Sequence, residues 1–239
     1  MTTLFISDLH LCPTRPATTR AFFDFLRGPA RECTALYILG DLFEYWAGDD
    51  DADHTLNREA ARSLAQLAEA GPRLHFMAGN RDFLLGRDYA ALSRLTLLDD
   101  PTLIEIEGTP TLLMHGDTLC TDDTAYLEFR ATVRDPQWMS AFMARPLAQR
   151  KATIEELRRR SEAEKRTKPM EIMDANDEAI ARTLRRYGYP RLIHGHTHRP
   201  AHHEHTVDGH RCERWVLADW YGRGGYLACD AAGCRSLTL

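Results

Sequence analysis

Through the first half of the chain, short apolar runs alternate with stretches whose apolar residues fall three and four apart: Thr3–Ser7, Thr19–Leu26, Leu36–Leu39, Leu56–Ala70 and Leu74–Ala78. The short runs read as strands and the three-and-four spacing reads as helix. In the longest helix Ala60, Ala61, Leu64, Leu67 and Ala68 mark one stripe, and Gly71-Pro72 stops it. This βαβαβ order predicts a sheet flanked by helices. A hairpin follows, Leu103–Glu107 and Thr111–Met114 around Gly108, and then the period changes, so that Asp122 to Gly188 reads almost wholly as helix. Strand patterning returns at Arg191–His194, Arg214–Ala218 and Tyr226–Cys229 with Gly-rich turns between. The expected organisation is an α/β core of residues 1–121 and 189–239, interrupted by a helical insertion over 122–188.

Composition adds bounds. With 239 residues, 44% of them hydrophobic, the chain is long enough to bury a proper core, which excludes disordered and fibrous classes. Its longest apolar run, Ala35–Leu39, is far short of the roughly 20 residues a spanning helix needs. The N-terminus has no basic segment followed by a long apolar one, so a cytoplasmic location is expected. Six cysteines include no Cys-x-x-Cys pair, and reduced thiols are expected. A net charge of −5 argues against wrapping nucleic acid, yet residues 145–168 hold nine Lys/Arg against four Glu. That block is a solvated helical face or a seat for an anionic partner; no obligate protein partner is evident.

Five polar clusters each follow a strand-like run: Asp8-Leu9-His10, Gly40-Asp41-Leu42-Phe43-Glu44, Gly79-Asn80-Arg81-Asp82, His115-Gly116-Asp117 and Gly195-His196-Thr197-His198. Loops at one end of the strands of an α/β sheet converge on a crevice, so these distant segments can meet. Asp8 and His10, like His196 and His198, are two apart and share one face of an extended chain. Carboxylate, imidazole and amide oxygen together suit divalent ions such as Mn, Fe or Zn. Seven candidates (Asp8, His10, Asp41, Asn80, His115, His196, His198) exceed one ion's needs and fit two. Two ions less two aspartates leave about +2 to face a phosphate.

In these clusters the chain resembles the calcineurin-like metallophosphoesterases, whose motifs D-x-H, G-D, G-N-x, a single His and G-H-x-H are all present in order. The resemblance implies a four-layer αββα sandwich with a helical insertion. It implies a first ion on Asp8, His10 and His198, a second on Asn80, His115 and His196, and Asp41 bridging them. Family members that cleave phosphoprotein or alkyl esters carry His after Gly-Asn; here the residue is Arg81. Arginine cannot give up a proton near neutral pH, so the leaving group must depart as a stabilised anion while Arg81 faces phosphoryl oxygens. That suits a pyrophosphate link.

The longer wording Gly40-Asp41-Leu42-Phe43-Glu44-Tyr45-Trp46, Gly79-Asn80-Arg81-Asp82-Phe83-Leu84, His115-Gly116-Asp117-Thr118-Leu119-Cys120-Thr121-Asp122-Asp123 and His194-Gly195-His196-Thr197-His198-Arg199-Pro200 is similar to one subfamily, the UDP-2,3-diacylglucosamine pyrophosphohydrolases of lipid A synthesis. The resemblance implies hydrolysis at the α-phosphate to UMP and 2,3-diacylglucosamine 1-phosphate, with two divalent ions, usually Mn²⁺, at the cytoplasmic face of the inner membrane as a peripheral protein. It implies a catalytic set of Asp41, Asn80, Arg81 and His115, and substrate contacts at Asn80, Arg81, Asp123, Ser161, Lys165, Lys168 and His196. The rival is another pyrophosphate- or phosphodiester-cleaving metallophosphoesterase acting on a soluble nucleotide.

Other polar residues have plainer readings. Asp117, Glu44 and Asp82 are expected as turn formers, caps or supports for ligands, and His194 as a hydrogen-bonded support. His202, His203, His205 and His210 lie in a polar, hairpin-like stretch and are expected at a solvated surface. Trp138, Met139, Phe142, Met143 and Leu147 recur at helical spacing, either as helix packing or as a groove for acyl chains.

Overall fold

A computed structural model describes the chain over residues 1–52, 54–165 and 170–239. Six strands form one sheet in the order β11 (Gly233–Thr238), β10 (Gly225–Asp230), β1 (Thr3–Ile6), β2 (Ala35–Leu39), β3 (Arg73–Met77) and β4 (Leu95–Leu98). A second sheet runs β5 (Thr102–Ile106), β6 (Thr109–Met114), β7 (Arg191–His194), β9 (His210–Val216) and β8 (Ala201–Val207). β1 to β4 are parallel in sequence order, as are β6, β7 and β9.

The period of two sorts residues between layers. Leu4, Ile6, Leu36, Ile38, Leu74 and Phe76 face outward from the first sheet, under α1 (Pro16–Arg27), α2 (Thr55–Glu69) and α3 (Arg87–Ser93). Their strand neighbours Phe5, Leu39 and Met77 face inward and meet Leu113 and Ile193 of the second sheet. On the far side Leu112, Met114 and Leu192 pack with Ile180 and Leu184 of α7 (Asp177–Arg186). The layers run α, β, β, α. Strands covered on both faces are apolar at nearly every position, which explains the continuous runs in the sequence.

Between β6 and α7 lie α4 (Thr124–Val133), α5 (Pro136–Met143) and α6 (Leu147–Lys165), then a short 3₁₀ turn at Met170–Met173. The starts of three helices are set by side-chain caps: Asp123 accepts from the Tyr126 N–H, Asp135 from those of Gln137 and Trp138, and Asn176 from those of Glu178 and Ala179. Phe142 of α5 is fully buried in the same cluster as α1 and α2. Beside it Arg150, 2% exposed, donates to the carbonyls of Ala47 and Arg145 and to the Asp50 carboxylate.

One expectation is corrected. Cys229 and Cys234 stand directly opposite on β10 and β11 and form a disulfide, while the other four cysteines are free and buried. A search for Cys-x-x-Cys misses this pair because a tight hairpin, not a metal-type spacing, brings the two thiols together. No helix among the described residues is long and apolar enough to cross a membrane.

Arg150, itself buried, ties α5 and α6 to the loop after β2 through the Arg145 and Ala47 carbonyls and the Asp50 carboxylate. Arg150→Met should therefore lower the unfolding free energy in urea by about 1–3 kcal/mol; an unchanged midpoint would show the contacts to be incidental.

Candidate metal centre and adjoining cavity

The five polar clusters stand at the C-terminal ends of parallel strands: β1 leads to Asp8 and His10, β2 to Asp41, β3 to Asn80 and Arg81, β6 to His115, β7 to His196 and His198. Asp8, His10, Asp41, His196 and His198 all have left-handed backbone, with φ of 56°, 52°, 55°, 68° and 56°. Each such residue without glycine's freedom costs of order 1 kcal/mol or more, so the loops must be held by other contacts.

Those contacts come from buried acceptors and absent side chains. Asp82, wholly buried, accepts the N–H groups of Gly79, Asp41, Leu42 and Phe43 at 2.9, 3.2, 2.7 and 3.3 Å. Asp8 Oδ2 accepts from the Ser7 hydroxyl at 2.6 Å and the His196 N–H at 2.9 Å. Asp41 Oδ1 accepts the Arg81 N–H at 2.8 Å. A Cβ at Gly79 would collide with Asp41, and one at Gly195 with Ser7 and Asp8. Asp82 thus has the supporting role expected of it.

The side chains brought together crowd carboxylate, amide and imidazole atoms within reach of one another. His115 Nδ1 lies 2.9 Å from the Leu39 carbonyl, which only accepts, so Nδ1 carries a proton. Its Nε2 is 2.9 Å from Asn80 Oδ1, which is also 3.0 Å from His196 Nδ1. On the other side His10 Nε2 and His198 Nε2 face each other at 3.4 Å, with Asp8 Oδ1 3.4 Å from His198. Asp8 Oδ1 is buried without a hydrogen bond. Asp41 lies between, 3.7 Å from His10 Nε2 and 3.8 Å from His115 Nε2. Ligand atoms of Asp8, His10 and His198 lie within 4.8 Å of one another, as do those of Asp8, Asp41 and His115. An orphaned carboxylate oxygen and paired imidazole nitrogens are what divalent cations satisfy, so the donor set fits them.

Electrostatics agree. Burial pushes the Asp41 carboxyl up to about 7 against the pull of His115. Burial opposes charge on His115 as well, but the Asp41, Asp117 and Asp8 carboxylates outweigh it and hold the imidazole up to about 9. Protons thus stand where cations would.

Around this centre is a second set of residues that sequence reasoning did not single out. Tyr126 OH and Arg130 Nε of α4 donate to Asp117 Oδ2 at 2.6 and 2.7 Å. Glu44 accepts from Arg15 and from Arg158 of α6, and lies 3.6 Å from His10 Nδ1 and 3.9 Å from Arg81. The available signal was Tyr126 and Arg130 at i, i+4 on one helix face. Beside them opens a cavity of about 380 Å³. Asn80, Arg81, Asp123 and Ser161 line it together with an apolar wall of Trp46, Phe83, Leu84, Phe129, Val133, Trp138, Phe142, Ile154 and Leu157. Of the helical stripe noted in the sequence, Trp138 and Phe142 reach the cavity, whereas Met139 packs into the core and Met143 is 37% exposed. Asp123 serves as the cap of α4 as well as lining this space. Lys168 lies outside the described residues, as does the side chain of Lys165.

Residues 1–200 match the family model of the calcineurin-like phosphoesterases. A protein of Aromatoleum aromaticum named UDP-2,3-diacylglucosamine hydrolase is 61% identical over 233 residues, covering 98% of this chain and 95% of its own. Proteins of the same name from Chromobacterium violaceum and Xanthomonas oryzae are 51% and 50% identical, each covering 98% of this chain and 98% and 97% of their own.

A divalent ion must displace the protons that Asp41 and His115 share. Since His115 stays protonated below about 9, apparent affinity for Mn²⁺ should fall as pH drops through that range, with about one proton released near neutral pH. Calorimetry in buffers of different ionisation enthalpy measures this, and pH-independent affinity would contradict it.

Proposed function

The chain belongs to the calcineurin-like phosphoesterases, and from that premise we propose that it hydrolyses the pyrophosphate bond of UDP-2,3-diacylglucosamine. Water attacks the α-phosphorus, the bond to the bridging oxygen breaks, and 2,3-diacylglucosamine 1-phosphate leaves with that oxygen while the uridyl phosphate, now carrying the water oxygen, becomes UMP. The observation that carries this reading is the continuity of a divalent-ion donor set with an apolar cavity through Asn80 and Arg81. A soluble nucleotide has no use for a wall of nine apolar side chains; a doubly acylated sugar does.

Asp8, His10 and His198 would hold one ion and Asn80, His115 and His196 another, with Asp41 between. Bound divalent ions, Mn²⁺ being the usual one in the subfamily the chain resembles, would supply charge to the phosphoryl oxygens and acidify the attacking water. The protein's own part is orientation. Arg81 is tethered by its backbone to Asp41 and, among the described residues, its ion pair is a long one, 3.9 Å to Glu44, which leaves its guanidinium able to follow charge as it grows on the bridging oxygen. Having no proton to give, it suits a phosphate leaving group. Within residues 122–188, α4 to α6 act as the lid, covering the cleft and receiving acyl chains while Ser161, Lys165 and Lys168 hold polar parts of the substrate; α7 backs the second sheet as a layer of the core. The protein meets its lipid by peripheral contact with the cytoplasmic face of the inner membrane.

The direct test is release of UMP from UDP-2,3-diacylglucosamine by purified protein with Mn²⁺; equal turnover of ADP-ribose would favour the soluble-nucleotide rival. Phe129 lines the cavity yet is 42% exposed, so its truncation spares the fold. Phe129→Ala should cost about 1–3 kcal/mol in kcat/KM on the lipid substrate and leave bis-p-nitrophenyl phosphate unaffected. Equal losses on both would remove the acyl-chain role. Arg81→Ala should lower kcat by about 10²–10³, and Arg81→His should not restore it; full activity with histidine would overturn the leaving-group argument.

A further inference from the structure

Two buried groups have no part in the reading above, and they touch. Arg214, 6% exposed, stands on β9 beside Leu192 of β7 and His203 of β8. Its Nη1 lies 3.1 Å from Nε2 of His194, which is fully buried, and its Nε donates to His205 Nε2 at 3.1 Å. Among the described residues its hydrogen bonds go to imidazoles and to no carboxylate; Asp174 and Asp177 act on it from farther away. A buried guanidinium so placed is costly unless its donors are used.

A guanidinium only donates, so His194 Nε2 must accept and the ring proton must be on Nδ1. Nδ1 lies 2.8 Å from the Gly195 carbonyl, which also accepts the Thr197 N–H at 2.8 Å. The Gly195 N–H in turn donates to the His115 carbonyl at 2.9 Å. This peptide begins the turn on which His196 and His198 take their left-handed φ. The reversed tautomer would set N–H against N–H at Arg214 and a lone pair against the carbonyl. The ring lies close against Gly116, where a Cβ would stand 2.7 Å from Nδ1.

We propose that Arg214 is a positioning residue of the metal centre: by donating to Nε2 it fixes His194 as the Nδ1–H tautomer, and that proton holds the Gly195 carbonyl and the turn presenting His196 and His198. His205, from the outer strand, takes the other edge of the guanidinium and keeps it aimed. The proposal rests on reading His196 and His198 as ligands, but its first consequence, the tautomer, is independent of any metal.

Long-range ¹H–¹⁵N spectra of histidine-labelled, metal-free protein test it, with His194→Gln to assign the signal. Wild type should show His194 as Nδ1–H. Arg214→Gln keeps a donor without the charge and should retain that tautomer, whereas Arg214→Met should reverse or mix it and weaken Mn²⁺ binding by about 10–100-fold. An Nε2–H tautomer in wild type, or an Arg214→Met protein unchanged in tautomer and Mn²⁺ affinity, would overturn the proposal. Should Arg214→Met fail to fold, wild type and Arg214→Gln still decide, because loss of the tautomer in Arg214→Gln would show that donation is not what fixes it. Failure of wild type to bind Mn²⁺ would instead fall on the metal-centre reading, since the tautomers are compared without metal.

Discussion

Carboxylate, amide and imidazole groups crowded within hydrogen-bonding reach of one another are the constraint on which the rest of this structure depends. Asn80 Oδ1 sits about 3 Å from two imidazole nitrogens, and Asp8 Oδ1 is buried without a hydrogen bond, His198 Nε2 standing 3.4 Å away. Left to themselves such groups would rotate apart or take up water. They are kept together because their backbones are already committed: five of the seven candidates are at left-handed φ, and Asp82 gathers four N–H groups from two loops to keep the Asp41 turn closed against the loop that carries Asn80. The cost of the cluster is thus borne by loops, while the strands behind them remain regular.

Regular strands matter because the cluster spans two sheets. Asp8, Asp41 and Asn80 follow strands of the first, His115, His196 and His198 strands of the second. A slide of one sheet on the other would separate the halves. The inner layer of Phe5, Leu39, Met77, Leu113 and Ile193 resists it, each fully buried apolar side chain contributing about 1.5–3 kcal/mol. Polar stitches cross the same seam next to the site: His115 Nδ1 to the Leu39 carbonyl, and the His196 N–H to Asp8. Sheet packing and ligand geometry are therefore one problem.

The chain makes part of this legible and hides part. Strands β1, β2, β3, β6 and β7 could be read because burial on both faces leaves an apolar run, and the clusters behind them because Asp, Asn and His have no packing reason to sit at strand ends. β8 was legible only as part of a polar, hairpin-like stretch: Ala-His-His-Glu-His-Thr-Val alternates half-buried with exposed polar residues, so hydrophobicity carries no period to set its bounds. α3 and β4 were missed since seven and four residues are too few for either period to declare itself. The cross-strand cysteine pair, the Asp117–Tyr126–Arg130 contact and the Arg214 contact with His194 join segments through geometry that no spacing encodes. The difference is physical: burial and turn chemistry are local to the sequence, whereas partner choice among polar groups is settled only when the sheets meet.

Those polar partners also explain why a cavity persists beside the site. An apolar space of about 380 Å³ forfeits packing contacts, and α4 and α6 would gain by closing it. They are held back at two points, where Tyr126 and Arg130 grip Asp117 and Arg158 grips Glu44. Asp117 is wholly buried and Glu44 6% exposed, and each adjoins a candidate ligand, so withdrawing an arginine would strand a carboxylate beside the metal centre. Burial favours protonating Asp117, yet His115, His196 and Arg130 overcome it and hold the carboxyl below its usual range, which keeps the charge that grips the helix. The helices are thus fixed by the electrostatics of the centre itself. What they leave open is set by where Asp117 and Glu44 stand, not by how well their apolar sides would pack.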